Sequence, residues 1–148
     1  MRHLLLVAHG SRREASNEEV RQLAASLAPR AQGRFDAVSC AFLEIAAPSI
    51  PEGIDAAVRS GAGEVVVLPY FLSAGRHVAE DIPREVEAKQ HEYPRVRIQV
   101  TPYLGLAGGV AEILLSLADA RGSVTVARVV QQGDGAPGQG SIQGALGS

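Results

Sequence analysis

The amino-acid sequence predicts an α/β protein with an open, mostly parallel sheet and helices on both faces. Short unbroken apolar runs, such as residues 4–8 and 64–71, have the length and character of strands buried on both sides. Segments between them carry apolar residues at helical spacing. Because this strand–helix alternation occurs four times, crossover helices joining parallel strands are the expected arrangement.

The first strand–helix unit begins with residues 4–8, Leu-Leu-Leu-Val-Ala. Two Ser-x-x-Glu patterns, Ser11/Glu14 and Ser16/Glu19, could each cap the helix that follows, and the pattern does not decide between them. The apolar face of this helix consists of Val20, Leu23, Ala24, Leu27 and Ala31.

The second unit begins with a predicted strand over residues 35–43. Ser49 and Glu52 predict a capping box at the start of the second helix, with Pro51 in its first turn. Gly61 is a suitable C-terminal cap, so the helix is expected to stop there.

The second half of the chain contains two further units. Residues 64–71 are the clearest strand, and a third helix is predicted from about residue 78 to 91. Residues 95–101 alternate in polarity like a half-exposed edge strand. A fourth helix with apolar residues over 110–118 is expected to end near Gly122.

The domain organisation follows from length and from the composition of the C-terminus. We expect one domain over residues 1–130, with four strands, or five if residues 124–130 add one. Residues 131–148 are Gly-rich, lack aromatic side chains and have little to bury, so we expect a disordered tail.

Composition excludes several classes of protein. The 148 residues are 46% hydrophobic with a formal net charge of -2, and no Lys/Arg-dense stripe indicates a nucleic-acid partner. The single cysteine, Cys40, excludes a disulfide framework or a cysteine-held cluster within one chain. No apolar run is long enough to span a bilayer, and we expect a soluble cytoplasmic protein with no membrane partner.

Candidate functional residues follow the carboxyl ends of the predicted strands, where open parallel sheets bind ligands. His9 follows the first strand, Glu44 the second and His77 the third. Three loops therefore bring two imidazoles and a carboxylate to one edge, a combination suited to a transient first-row divalent metal ion. Few ligands with open positions suit delivery of an ion better than a closed structural site.

Each candidate also has a purely structural interpretation. A histidine after a strand often serves only as a hydrogen-bonding residue, and Glu44 could simply complement the dipole of a nearby helix. Asp81 is predicted to cap the third helix. His3 and His91 are expected to be structural or solvent-facing.

The sequence also resembles a known family, the small CbiX/SirB-type sirohydrochlorin chelatases. The resemblance rests on three blocks that agree in order and spacing and extends over about residues 1–120. The blocks are Leu6-Val7-Ala8-His9-Gly10-Ser11-Arg12, then Ala41-Phe42-Leu43-Glu44 with Pro48-Ser49-Ile50, and Val67-Leu68-Pro69-Tyr70-Phe71-Leu72-Ser73-Ala74-Gly75-Arg76-His77-Val78 continuing to Asp81-Ile82-Pro83.

This resemblance implies a class II chelatase, which needs no ATP and no tightly bound cofactor. His9 and His77 match the metal-site histidines of the family, and Glu44 matches its acidic residue. The divalent ion (Co²⁺, Fe²⁺ or Ni²⁺) and a carboxylate-rich tetrapyrrole would be the substrates, in cobalamin or siroheme biosynthesis. The resemblance also implies a homodimer.

Two points stay open within this interpretation. Either Glu44 or a histidine could accept the protons that leave the pyrrole nitrogens. The ligand preferences of the site do not separate cobalt, iron and nickel. Donors to the carboxylates of the substrate are expected from Ser11, Arg12, Ser73 and Arg76.

Two rival functions compete with the chelatase. A non-catalytic tetrapyrrole or metal carrier would keep the same site without turnover. A histidine phosphatase is suggested by His9-Gly10, but Ala8 stands where those enzymes have an arginine. A dinucleotide-binding loop is excluded because no G-x-G-x-x-G follows the first strand.

Overall fold

The protein is represented by a computed structural model, which describes residues 1–120. Residues Met1–Val110 form one compact unit, and a second unit begins at Ala111. The candidate fifth strand at 124–130 and the Gly-rich stretch at 131–148 lie outside the described residues. A domain boundary near residue 130 therefore stays a prediction.

Strands and helices alternate along the chain as the sequence predicts. The strands are β1 (Arg2–Ala8), β2 (Ala37–Phe42), β3 (Glu64–Pro69) and β4 (Arg97–Val100). The helices are α1 (Glu14–Arg30), α2 (Ile50–Arg59), α3 (Arg76–Glu92) and α4 (Val110–Asp119), with a 3₁₀ turn at Leu104–Leu106. Among the described residues, the strands form one parallel sheet in the order β2-β1-β3-β4.

The two faces of the sheet form separate hydrophobic cores. Leu5 and Val7 of β1 point to the face covered by α2 and α3, where Ile54 and Ile82 are fully buried. Leu6 and Ala8 point to the opposite face and pack with α1. This alternation follows from the two-residue period of a strand, and it confirms the predicted helices on both faces.

The ends of several elements differ from the sequence prediction. Arg13 is the N-terminal cap of α1 and makes no side-chain cap hydrogen bond, so neither Ser-x-x-Glu pattern caps this helix. β3 ends at Pro69, two residues before the predicted end, and Tyr70 and Phe71 lie in the loop that follows. α3 begins at Arg76, two residues before the predicted start.

The start and end of α2 confirm the prediction in detail. The Ser49 hydroxyl accepts a hydrogen bond from the Glu52 N–H, and the Glu52 carboxylate accepts one from the Ser49 N–H. The helix ends at Arg59, and Gly61 follows with a φ of 100°. A left-handed residue just past a helix is the position that glycine favours.

Helix α4 belongs almost entirely to the second unit, which begins at Ala111. Its large apolar side chains are exposed, and they are Ile113, Leu114, Leu115 and Leu117. In the part of the chain that is described, no helix combines the length and apolar character needed to cross a membrane.

Candidate functional site

The strand order places the candidate site at the junction of β1 and β3. These two strands are neighbours at the centre of the sheet, and their connections run to opposite sides. In open parallel sheets this reversal opens a crevice beyond the carboxyl ends of the strands. His9 follows β1 directly, and the loop from Tyr70 to Gly75 follows β3.

His9 and Glu44 meet at this edge. The His9 Nε2 atom lies 2.8 Å from the Glu44 Oε1 atom, and both side chains are more than half exposed, at 55% and 57%. Their backbones are also joined, because the Glu44 N–H donates to the His9 carbonyl oxygen at 3.0 Å. The pairing of β1 with β2 thus continues past the strand ends and fixes the two residues side by side.

Gly10 makes this close approach possible. Its φ is 94°, in the left-handed region that residues with a Cβ atom rarely adopt. A Cβ atom at this position would also collide with the backbone of Glu44. The glycine after the site histidine is therefore required for the geometry of the site as well as for the turn.

The loop after Gly10 is held by Asn17, a buried residue of α1. Its Oδ1 atom accepts a hydrogen bond from the Ser11 N–H at 2.9 Å, and its Nδ2 atom donates to the Ser11 carbonyl oxygen at 2.8 Å. The Ser11 hydroxyl in turn accepts from the Arg13 N–H at 3.0 Å. Asn17 therefore ties the His9 loop to α1, and sequence reasoning did not identify it.

Phe71, in the loop after β3, contacts the His9 ring. The two rings meet edge to face, with centroids 6.3 Å apart and planes at 83°. The carbonyl oxygen of Phe71 accepts a hydrogen bond from the Gly105 N–H at 2.9 Å, which fastens the β3–α3 loop to the segment after β4. The imidazole is thus positioned by Glu44 on one side and by an aromatic ring on another.

A cavity of about 470 Å³ opens next to the His9–Glu44 pair. It is lined by His9, Leu43, Glu44, Asp81, Arg84 and Glu85. A second cavity of about 240 Å³ also borders His9, and its wall includes Gly10, Ser11, Tyr70 and Phe71. His9 therefore stands between an acidic cavity and one with aromatic side chains.

Asp81 and Glu85 also line the cavity beside His9, which the sequence analysis did not predict. Asp81 is the sixth residue of α3, so the prediction that it caps this helix is wrong. Burial, and secondly the negative charge of Asp81, raise the pKa of the Glu85 carboxyl above its ordinary value. Sequence reasoning missed Glu85, because helical spacing alone does not report whether a carboxylate faces water or a cavity.

The other predicted residues occupy the same edge of the sheet. His77 is the second residue of α3, and its side chain lies outside the part of the structure that is described. Ser73 and Arg12 are exposed. Arg76 begins α3 with its side chain 88% exposed, and its Nε atom lies 3.4 Å from the Glu80 carboxylate.

Two histidines lie away from this edge, as expected. His3 is buried near the other end of β1, where its Nε2 atom lies 2.8 Å from the Ser39 hydroxyl. His91 is exposed near the C-terminal end of α3. Among the side chains that the structure describes, no three His, Cys, Asp or Glu residues come together as a ready metal site.

Comparison with known proteins gives evidence on family membership that is independent of the geometry of the site. The profile of the CbiX family matches residues 3–120. The sirohydrochlorin cobaltochelatase of Methanocaldococcus jannaschii is 38% identical over 84 residues, which are 57% of this chain and 57% of that protein. The match thus spans somewhat more than half the length of this curated relative.

Two solved structures share the fold. A CbiX protein from Marinobacter aquaeolei VT8, named for cobalamin biosynthesis, superposes with a TM-score of 0.67 at 27% identity, over 80% of this chain and 94% of that chain. The sirohydrochlorin chelatase SirB from Bacillus subtilis subspecies spizizenii, solved with cobalt, gives 0.69 at 27% identity, over 79% and 49%. The predicted fold class is confirmed by these neighbours and by the parallel sheet itself.

Proposed function

Because the chain belongs to the CbiX family, we propose that it is a sirohydrochlorin metallochelatase, which inserts a divalent metal ion into the tetrapyrrole without ATP. The observation that carries the proposal is the contact between His9 and Glu44 at the carboxyl edge of the sheet. An imidazole oriented by a carboxylate is a common arrangement for a metal-binding histidine.

We infer a chemical role for each partner from this contact. When Nε2 of His9 carries the proton, it donates to the Glu44 carboxylate, and Nδ1 keeps a lone pair for the ion. The carboxylate then orients the ring and increases its basicity. In this assignment Glu44 acts mainly through His9, and His9 binds the ion.

We propose His77 as the second ligand of the ion. Its backbone lies in the first turn of α3, and the loop before it follows β3, the sheet neighbour of β1. Both histidines therefore come from segments that leave the same crevice. Two protein ligands leave coordination positions open for water and for the pyrrole nitrogens, as delivery of an ion requires.

The carboxylates of the substrate need donors around this crevice. Arg12 and Arg76 are exposed at the edge, and we propose that they bind these carboxylates. Ser73 and the hydroxyl of Ser11 are further candidate donors. The Ser11 N–H already donates to Asn17, so the contribution of Ser11 would come from its side chain.

The metal ion is a substrate in this proposal, and Co²⁺ and Fe²⁺ are the first candidates, with Ni²⁺ third. Imidazole and carboxylate ligands accept all three ions, so supply in the cell decides between them. The pathway would accordingly be cobalamin or siroheme biosynthesis.

We further propose that the protein acts as a homodimer in the cytoplasm. His9 and Glu44 are more than half exposed, so one copy leaves the crevice open on the side away from the sheet. A second copy could close that side around a flat macrocycle. Size-exclusion chromatography with light scattering would test the dimer, and a mass of about twice 15.5 kDa is expected.

The proposed activity is tested by following the absorbance of sirohydrochlorin with Co²⁺, Ni²⁺ or, anaerobically, Fe²⁺. We expect insertion above the spontaneous rate with at least one ion. His9→Ala and His77→Ala should lose this acceleration, whereas His91→Ala, an exposed histidine away from the crevice, should keep it.

A carrier with the same site is the second candidate, favoured by the exposure of the His9–Glu44 pair. It would bind sirohydrochlorin and the ion without accelerating their combination. Absence of acceleration with all three ions, in a sample that binds the tetrapyrrole, would therefore contradict the chelatase and leave the carrier.

A further inference from the structure

The acidic cavity beside His9 contains a carboxyl group that the fold does not satisfy. The Oε2 atom of Glu85 is buried and has no hydrogen-bond partner among the described residues. Glu85 lines the same cavity as His9 and Glu44. Buried polar atoms without partners are rare in proteins, and a role in chemistry is one of the few explanations.

The surroundings of Glu85 favour its protonated form. The other ionisable groups around the cavity are Glu44 and His9 at the strand ends, with Asp81 and Arg84 on α3. Arg84 pairs with Asp81 at 3.7 Å, and no described cation pairs with Glu85. Burial, and then the Asp81 charge, raise the Glu85 pKa. A base whose pKa lies closer to neutrality holds an abstracted proton better than an ordinary surface carboxylate.

Metal insertion creates a need for such a base. Replacement of two pyrrole protons by one divalent ion breaks two N–H bonds, and each electron pair stays on its nitrogen and binds the ion. Both protons must move to a base and then to water. The Oε1 atom of Glu44 already pairs with His9, and protonation of this carboxylate would weaken the contact that orients the imidazole. His9 itself is proposed to hold the ion.

We propose that Glu85 is the proton acceptor of the insertion reaction, an inference that rests on the proposed chelatase function. Its carboxylate takes one pyrrole proton, directly or through a water molecule in the cavity, and releases it to solvent. The second proton follows the same route after Glu85 is deprotonated again. The macrocycle is thereby placed with its reacting nitrogens toward the acidic cavity.

The test compares Glu85→Gln with Glu87→Gln in the full chain. Both variants remove one carboxylate from α3, but Glu87 is exposed and does not line the cavity. We expect kcat for Co²⁺ insertion to fall roughly 100-fold in Glu85→Gln, the order of a lost general base, with KM and calorimetric Co²⁺ affinity unchanged. Glu87→Gln should match the wild type.

A pH profile separates proton transfer from a structural effect. The wild-type kcat should rise with pH as Glu85 loses its proton, and Glu85→Gln should lack that rise. Glu85→Asp, which keeps a carboxylate, should recover part of the rate. Recovery and the changed profile together would support proton acceptance.

Several outcomes would overturn the proposal. An unchanged kcat in Glu85→Gln, an equal fall in Glu87→Gln, a change in KM alone, or loss of Co²⁺ binding in Glu85→Gln would each exclude a proton acceptor at this position. If the wild type itself does not accelerate insertion, the chelatase proposal fails first. The same series therefore distinguishes failure of the function from failure of the role of Glu85.

Discussion

A Cβ atom added to Gly10 would lie 1.8 Å from the carbonyl oxygen of Glu44, far inside any tolerated contact. The φ of Gly10, 94°, is also unfavourable for alanine. We therefore expect Gly10→Ala to lower the free energy of unfolding by about 1–3 kcal/mol and to weaken Co²⁺ binding, because the strand end must shift away from Glu44.

Urea denaturation and calorimetric Co²⁺ titration would check this expectation. Gly63→Ala is the matched control, since an added Cβ at Gly63 meets no atom within 4 Å. That variant should stay within about 0.5 kcal/mol of the wild type. Equal stability of the two variants would contradict the required close approach at Gly10.

Asn17 should be the most sensitive polar residue of α1. It is 2% exposed, and its amide bonds both the N–H and the carbonyl oxygen of Ser11. Asn17→Ala leaves these backbone groups without their partner, so we expect a loss of about 1–3 kcal/mol in unfolding free energy. The insertion rate should also fall, because the loop carrying His9 loses its attachment. Urea denaturation and the insertion assay would measure the two effects. Gln22→Ala, at an exposed position of α1, should change neither the unfolding free energy nor the insertion rate.

The capping box of α2 gives a smaller effect that is independent of the site. Ser49→Ala removes the acceptor of the Glu52 N–H, and we expect a loss of about 0.5–2 kcal/mol, the usual range for an N-terminal cap. Thermal unfolding would measure it. Ser26→Ala is the control, because the Ser26 hydroxyl only donates to Leu23 within α1. A similar loss in both variants would exclude a specific capping contribution.

Acid sensitivity should depend on His3. Burial lowers the pKa of His3 below its ordinary value of 6.5, so the folded protein binds this proton less tightly than the unfolded chain does. The stability contributed by neutral His3 is present above pH 6.5 and is lost as pH falls through the lowered pKa.

The measurement is the slope of unfolding free energy against pH between pH 7 and 5. His3→Gln, which can still bond Ser39, should show a shallower decline than the wild type. His91→Gln, at an exposed position, should retain the wild-type slope. A wild-type slope in His3→Gln would contradict the assignment.

The strands and the main site pair were predictable because they depend on local patterns and on topology. Apolar runs identify β1 and β3, and parallel order brings the ends of different strands to one edge. His9 and Glu44 therefore meet as expected, 2.8 Å apart. The capping box at Ser49 was equally readable, since its partners are three residues apart.

The contributions that sequence reasoning missed depend on packing between distant segments. The role of Asn17 arises because α1 folds back against the loop it follows, and the pattern Ser11/Glu14 wrongly suggested a cap instead. The environment of Glu85 depends on the position of α3 beside the strand ends, where Glu85, His9 and Glu44 line one cavity. No spacing rule reports whether a helical carboxylate faces water or a cavity.

The central position of β1 links the survival of the site to that of the whole fold. β1 pairs on both sides, with β2 and with β3, and its buried residues belong to both cores. We therefore expect β1 to belong to the last cooperative unit to open, with amides that exchange only through global unfolding. His9 is anchored to that unit. Ligand-binding capacity should therefore not decay gradually under rising temperature or denaturant; it should vanish in the same all-or-none transition that ends the native state.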